Sequence, residues 1–146
     1  MKKFVIAFAS VVTFISASAF SGKDPGTNPA LATFESIFRG ALDVKWSENS
    51  EVISASFVLG ETRTVAYFNR SGELLGTARN ILFNQLPLSV ITEINKRFGS
   101  SSVYNIIEYT AGDATFYSMT AVLPTKEVNL KATSSGEITV EGKVKK

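Results

Sequence analysis

Two spacings of apolar residues alternate along the chain: a helical repeat of about 3.6 residues and the strict alternation of a half-buried strand. The first helical stretch follows Asn28-Pro29. Asn can accept a bond from a free N–H of the first turn, and Pro at the first helical position gives up no hydrogen bond. Leu31, Phe34 and Phe38 then recur on one side with Ile37 beside them, and Gly40 supplies a stop, so a short amphipathic helix is predicted over residues 29–39. From Val44 the period becomes two. Val44 and Trp46 alternate with Lys45 and Ser47; Ile53, Ala55, Phe57 and Leu59 alternate with smaller or more polar residues; Thr64 to Phe68 and Leu74 to Ala78 continue the pattern. Glu48-Asn49-Ser50, Gly60-Glu61 and Asn69-Arg70-Ser71-Gly72 mark the turns between them. Connections this short imply antiparallel neighbours, because a parallel crossover needs a dozen residues or so.

The order then recurs. Leu86-Pro87 opens a second helix in which Val90, Ile91, Ile94 and Phe98 share a side and Gly99 closes it. Tyr104 and Ile106 stand where Val44 and Trp46 stood, Thr110 to Ala114 forms a longer hairpin loop, and Ser135-Gly136-Glu137 repeats Ser71-Gly72-Glu73. Ile53, Ala55 and Phe57 map onto Tyr117, Met119 and Ala121; Thr64, Ala66 and Phe68 map onto Val128, Leu130 and Ala132; Leu74, Gly76 and Ala78 map onto Ile138, Val140 and Gly142. A slip of one residue would swap every side chain to the other side, so the preserved parity argues for preserved strand faces. The expectation is an α+β fold of two tandem helix-plus-antiparallel-sheet repeats, residues 29–83 and 84–146, with helices packed on one face of the sheet. Trp46, Phe57, Tyr104 and Tyr117 fall on the faces assigned to the core.

Composition changes the picture at the N-terminus. Lys2 and Lys3 precede an apolar run from Phe4 to Ile15, and Ala17-Ser18-Ala19 offers the small-x-small pattern of a signal-peptidase site. Residues 1–19 are therefore expected to be a cleaved export signal and residues 20–28 a flexible leader, leaving a periplasmic or secreted chain without a membrane anchor. The formal charge of +2 belongs to the signal: Lys2 and Lys3 leave with it, and the remaining chain carries 13 basic and 13 acidic residues. A nucleic-acid partner is not supported.

Chemistry is scarce. The chain has no His and no Cys, which removes the commonest general base, thiol nucleophile and soft metal ligands. Glu48, Glu51, Glu61 and Asp113 sit at turns, the ordinary place for carboxylates. Asn69, Ser71 and Glu73 alternate around Gly72, yet a calcium loop needs several carboxylates and Arg70 puts a positive charge among them. No catalytic group, metal site or cofactor is expected.

The residues Phe38-Arg39-Gly40-Ala41, Val44-Lys45-Trp46, Ala66-Tyr67-Phe68-Asn69-Arg70-Ser71-Gly72-Glu73-Leu74-Leu75, and Leu86-Pro87 followed by Val90, Ile94 and Phe98 resemble the PepSY-like, beta-lactamase-inhibitor-like (BLIP-like) secreted proteins. The resemblance covers residues 30–144. It implies a tandem of helix-plus-antiparallel-sheet units forming one curved sheet, with a family name that records a likeness of fold to a protein inhibitor. Pro124-Thr125-Lys126 and Lys131-Ala132-Thr133-Ser134 lack the aromatic and acidic residues usual there.

Opposite the assigned core, Arg63, Val65 and Tyr67 lie on one strand, Arg79 on the next, and Ile107, Tyr109 and Phe116 in the second unit. Tyr, Phe and Arg are the residues interfaces favour. They also suit ordinary cross-strand pairs. The functional expectation is a non-catalytic module that binds an extracytoplasmic protein through the helix-free face. The alternative is a carrier of a small apolar ligand in a pocket between helices and sheet, near Trp46 and Phe34.

Overall fold

The computed structural model describes residues 28–99 and 101–145, so the expected signal and all of the leader but Asn28 lie outside it. One antiparallel sheet dominates. Its strands are β1 (Leu42–Glu48), β2 (Ile53–Leu59), β3 (Thr62–Phe68), β4 (Leu74–Asn80), β5 (Ser102–Ala111), β6 (Ala114–Val122), β7 (Lys126–Thr133) and β8 (Ile138–Lys145), and they pair in chain order as a continuous meander. Helix α1 (Ala30–Ile37) precedes β1, and a single 3-10 turn followed by α2 (Leu88–Phe98) joins β4 to β5. No helix among the described residues is long and apolar enough to cross a membrane.

This corrects the expected architecture. The described residues form one eight-stranded sheet with two short helices, in place of two helix-plus-sheet repeats whose helices cover a face. The reason is dimensional. At about 1.5 Å per residue, helices of 8 and 11 residues are roughly 12 and 16 Å long, whereas seven inter-strand spacings make a sheet roughly 34 Å wide. Helical periodicity is conspicuous in a sequence out of proportion to the surface it can cover.

Several local expectations do describe the elements. Asn28 Oδ1 accepts the Ala30 N–H at 3.0 Å, satisfying a donor at the start of α1. Gly99 ends α2 at a φ of 59°, with its N–H bonded to the Asn95 carbonyl. The expected long loop at Thr110 to Ala114 is absent: the extra residues lengthen β5 and β6 to 10 and 9 residues, and only Gly112 and Asp113 turn between them.

Buried residues form two clusters along one face of the sheet. Around β1 to β3, Phe34 of α1 meets Phe57 with ring centroids 5.0 Å apart and Trp46 at 5.2 Å, with Ala55, Ala66 and Phe68 completing the floor. Around β5 to β8, Val90 and Ile94 of α2 meet Met119, Ala121, Val128 and Leu130. Each large apolar side chain buried here contributes about 1.5–3 kcal/mol. Between the clusters runs a polar seam: Thr64 pairs with Arg79 and Arg79 with Glu108, whose Oε1 accepts the Arg79 Nε–H at 2.6 Å.

Four register shifts interrupt the ladder, in the β1/β2, β3/β4, β5/β6 and β7/β8 pairs. Two contain residues at positive φ, Asp43 at 52° and Asn105 at 51°. Each shift reverses which side chains of a strand face the core.

Candidate functional site

The face opposite the two clusters is built from the other residue of each alternating pair. Following the ladder, Lys45, Ser56, Val65, Ala78, Tyr109, Phe116 and Thr133 form a row across seven strands. Two residues to one side, Ile107, Ser118, Lys131 and Thr139 are in register; two to the other, Ser47, Ser54, Tyr67 and Gly76. Hydroxyls and small side chains fill most of this open face. Three of its aromatics, Tyr67, Tyr109 and Phe116, converge at the centre.

Tyr109 and Phe116, directly paired, stack with ring centroids 4.8 Å apart and planes within 12°. Lys131 Nζ lies 4.5 Å from the Phe116 ring centroid, a cation–π contact. Tyr67 approaches from β3 across Gly76, where a Cβ would collide with the Thr110 carbonyl oxygen. Gly76 thus keeps the intervening strand bare at that point. The result is a shallow hollow lined by Tyr67, Gly76, Thr77, Tyr109, Thr110, Ala111 and Phe116, with room for about one water molecule.

The phenols here are held neutral. Burial pushes the Tyr67 hydroxyl up from its ordinary value, and burial followed by the neighbouring Tyr67 and Glu141 does the same for Tyr109. Both remain O–H groups at neutral pH, able to donate and accept. Nothing in this arrangement has a nucleophile beside a base, and what it offers is contact.

Six of the residues named from the sequence, Arg63, Val65, Tyr67, Ile107, Tyr109 and Phe116, share the open face. Arg79 does not. The shift between Tyr67 and Phe68 places one extra residue in β4, so Gly76 and Ala78 take the open face and Arg79 turns to the core side, opposite Thr64 and Glu108. Sequence parity carried an unbroken register through the Ser-Gly-Glu turn, and the bulge reversed it.

Tyr104 is the converse case. Assigned to the core by alternation, it lies in the row with Thr120 and Asn129 on the open face, 41% exposed, its hydroxyl donating to Glu127 Oε2 at 2.9 Å. The bulge at Asn105 turns it there. Asn in the middle of an apolar strand, a residue that tolerates the left-handed region, was the available signal. Trp46 and Phe34, the expected walls of a ligand pocket, are packed against each other and against Phe57 and Phe68 at centroid distances of 5.0–6.0 Å. These two side chains are engaged in aromatic packing.

Structural comparison places this architecture among known ones. A BLIP-like protein from Bacteroides fragilis superposes with a TM-score of 0.71 at 18% identity, over 86% of this chain and 91% of that one. The chain has a BLIP-like fold. A candidate periplasmic protein from Bacteroides eggerthii follows at a TM-score of 0.70 and 16% identity, over 85% and 90% of the two chains. A DUF2874 family protein from Bacteroides uniformis gives 0.69 and 13%, over 80% and 87%. No protein-family model and no curated protein matches the sequence. At these identities the likeness is one of fold.

Proposed function

We propose that the chain is a non-catalytic protein-binding module of the extracytoplasmic space, exported by a cleaved signal at residues 1–19, and that its partner docks on the open face of the sheet. The observation that carries this reading is the convergence of Tyr67, Tyr109 and Phe116 from three strands onto the bare backbone at Gly76. Aromatic side chains standing in a field of Ser, Thr and Ala are what a central anchor region with a polar surround requires. The hollow is too shallow to enclose a small molecule, which favours a macromolecular surface. The BLIP-like and periplasmic descriptions of its structural neighbours accord with it.

Two further features support a duplicated origin, with units at residues 29–83 and 84–146. The two Ser-Gly-Glu turns each lodge against the start of a helix, and β1 and β5 are each bulged at a residue with positive φ.

The test is capture of a partner from envelope extract by wild-type chain and by Tyr67→Ala and Arg63→Ala. Both variants are expected to lose capture, Tyr67→Ala by tenfold or more (about 1.4 kcal/mol), while thermal midpoints stay close to wild type. Parallel loss of binding and fold would reassign these residues to packing.

A further inference from the structure

Resting on that reading, the charges around the hollow specify the partner further. Three cations among the described residues project on the open face. Lys45 lies at the β1 end of the central row, Arg63 on β3 is paired with Val58, and Lys131 on β7 is held over Phe116. Ion pairs among the described residues join Glu48 to Arg70, Glu108 to Arg79 and Glu93 to Lys96, so none of the three has a carboxylate within 4.0 Å there. Carboxylates bear on the same surface as well. Glu127 accepts the Tyr104 hydroxyl away from the hollow, and Glu141 on β8 acts on Tyr109 from one side. Cations therefore bracket the aromatic centre on both flanks, opposed near it by Glu141 and by Asp113 in the turn that follows Ala111.

The aromatic geometry narrows the choice of occupant. Tyr109 and Phe116 stack on each other, each covering a face of the other, and Lys131 lies over Phe116. A sugar ring needs an aromatic face free to stack upon, and Phe116 and one side of Tyr109 are already engaged. A side chain inserted beside Tyr67 meets the bare strand at Gly76 and the Tyr109–Phe116 pair.

We infer that the partner presents an acidic polypeptide segment, an apolar or aromatic side chain of which enters the Tyr67–Tyr109–Phe116 hollow while flanking carboxylates reach Lys45 and Arg63 on one side and Lys131 on the other. Charge complementarity of this kind acts mainly on association and its salt dependence.

The test uses the full-length chain with two labelled probes, a random Glu/Tyr copolymer and a Lys/Tyr copolymer of matched length, followed by fluorescence anisotropy at low and high salt. The acidic copolymer is expected to bind at least tenfold more tightly than the basic one, with affinity falling as salt rises. Charge reversal in the Arg63→Glu, Lys131→Glu double variant is expected to remove that preference, and Tyr67→Ala to weaken acidic binding by a similar factor. Equal binding of the two copolymers, binding of neither, or a preference that survives charge reversal overturns the inference. The docking reading fails separately: it falls if Tyr67→Ala still captures the natural partner, whatever the copolymers do.

Discussion

Single glycines and tyrosines impose specific constraints on this chain. Gly72 has a φ of 89° and its Cβ position coincides with the Pro29 carbonyl, so the β3–β4 turn can tuck beneath the start of α1 only if no side chain is there. Gly136, at 94°, packs against Ser89 at the start of α2, where a Cβ would lie 2.9 Å from the Ser89 carbonyl oxygen, and Ser89 Oγ donates to the Ser134 carbonyl. Gly72→Ala is expected to lower stability by about 2–4 kcal/mol, through backbone strain together with the clash, and Gly136→Ala by less, as read from urea midpoints. Tyrosine gives a pH dependence. Tyr67, Tyr109 and Tyr117 all have hydroxyls pushed up chiefly by burial. The folded chain favours the neutral phenol, so the unfolded chain ionises first. Their contribution is complete below the ordinary tyrosine value of about 10 and is lost as pH rises through the shifted values. The urea midpoint should therefore fall as pH rises past about 10, with a shallower fall in the Tyr67→Phe, Tyr109→Phe double variant.

At the scale of elements, strand and helix positions were legible because each period persists for several residues, while strand faces were legible only between bulges. Ile53, Ala55 and Phe57 point to the core as alternation requires; Arg79 and Tyr104 do not, because each lies beyond a register shift. A bulge leaves little compositional trace, and in β4 the extra residue lies in the run Leu74-Leu75-Gly76, which reads equally well either way. In β5 it is held by Asn105 in the left-handed region. Asn105→Val should cost about 1–2 kcal/mol, since a β-branched residue resists that conformation, and Asn105→Gly should be close to neutral. Matched urea curves for the two variants check this, and equal destabilisation would mean that the bulge does not depend on backbone conformation at Asn105.

For the whole molecule, the junction between β4 and β5 matters most. Four residue pairs connect them, Thr77 to Thr110 through Asn80 to Ile107, and on the core side the junction is polar, with Arg79 and Glu108 between the two apolar clusters. That ion pair is half exposed at the arginine and is worth little on its own, so hydrogen bonding along the ladder does the joining. The two clusters are expected to unfold together. Trp46, the single tryptophan, reports on the first cluster, whereas Ile94, 1% exposed, belongs to the second. Ile94→Ala should destabilise by about 2–5 kcal/mol and lower the midpoint of Trp46 fluorescence together with that of far-UV circular dichroism. A Trp46 transition that stays at its wild-type midpoint would show two independently melting halves.

Sequence alone located the elements, though not the ends of β5 and β6, because caps, turn glycines and apolar periods are local chemistry written in neighbouring residues. It also picked out Tyr67, Tyr109 and Phe116, since apolar aromatics on the polar side of an alternation are visible without coordinates. Tertiary structure decided that the sheet outweighs the helices, that Arg79 leaves the open face and that Tyr104 joins it. Those outcomes depend on how far a short helix can reach across eight strands and on single-residue shifts in pairing between strands, quantities that exist only once distant parts of the chain have met.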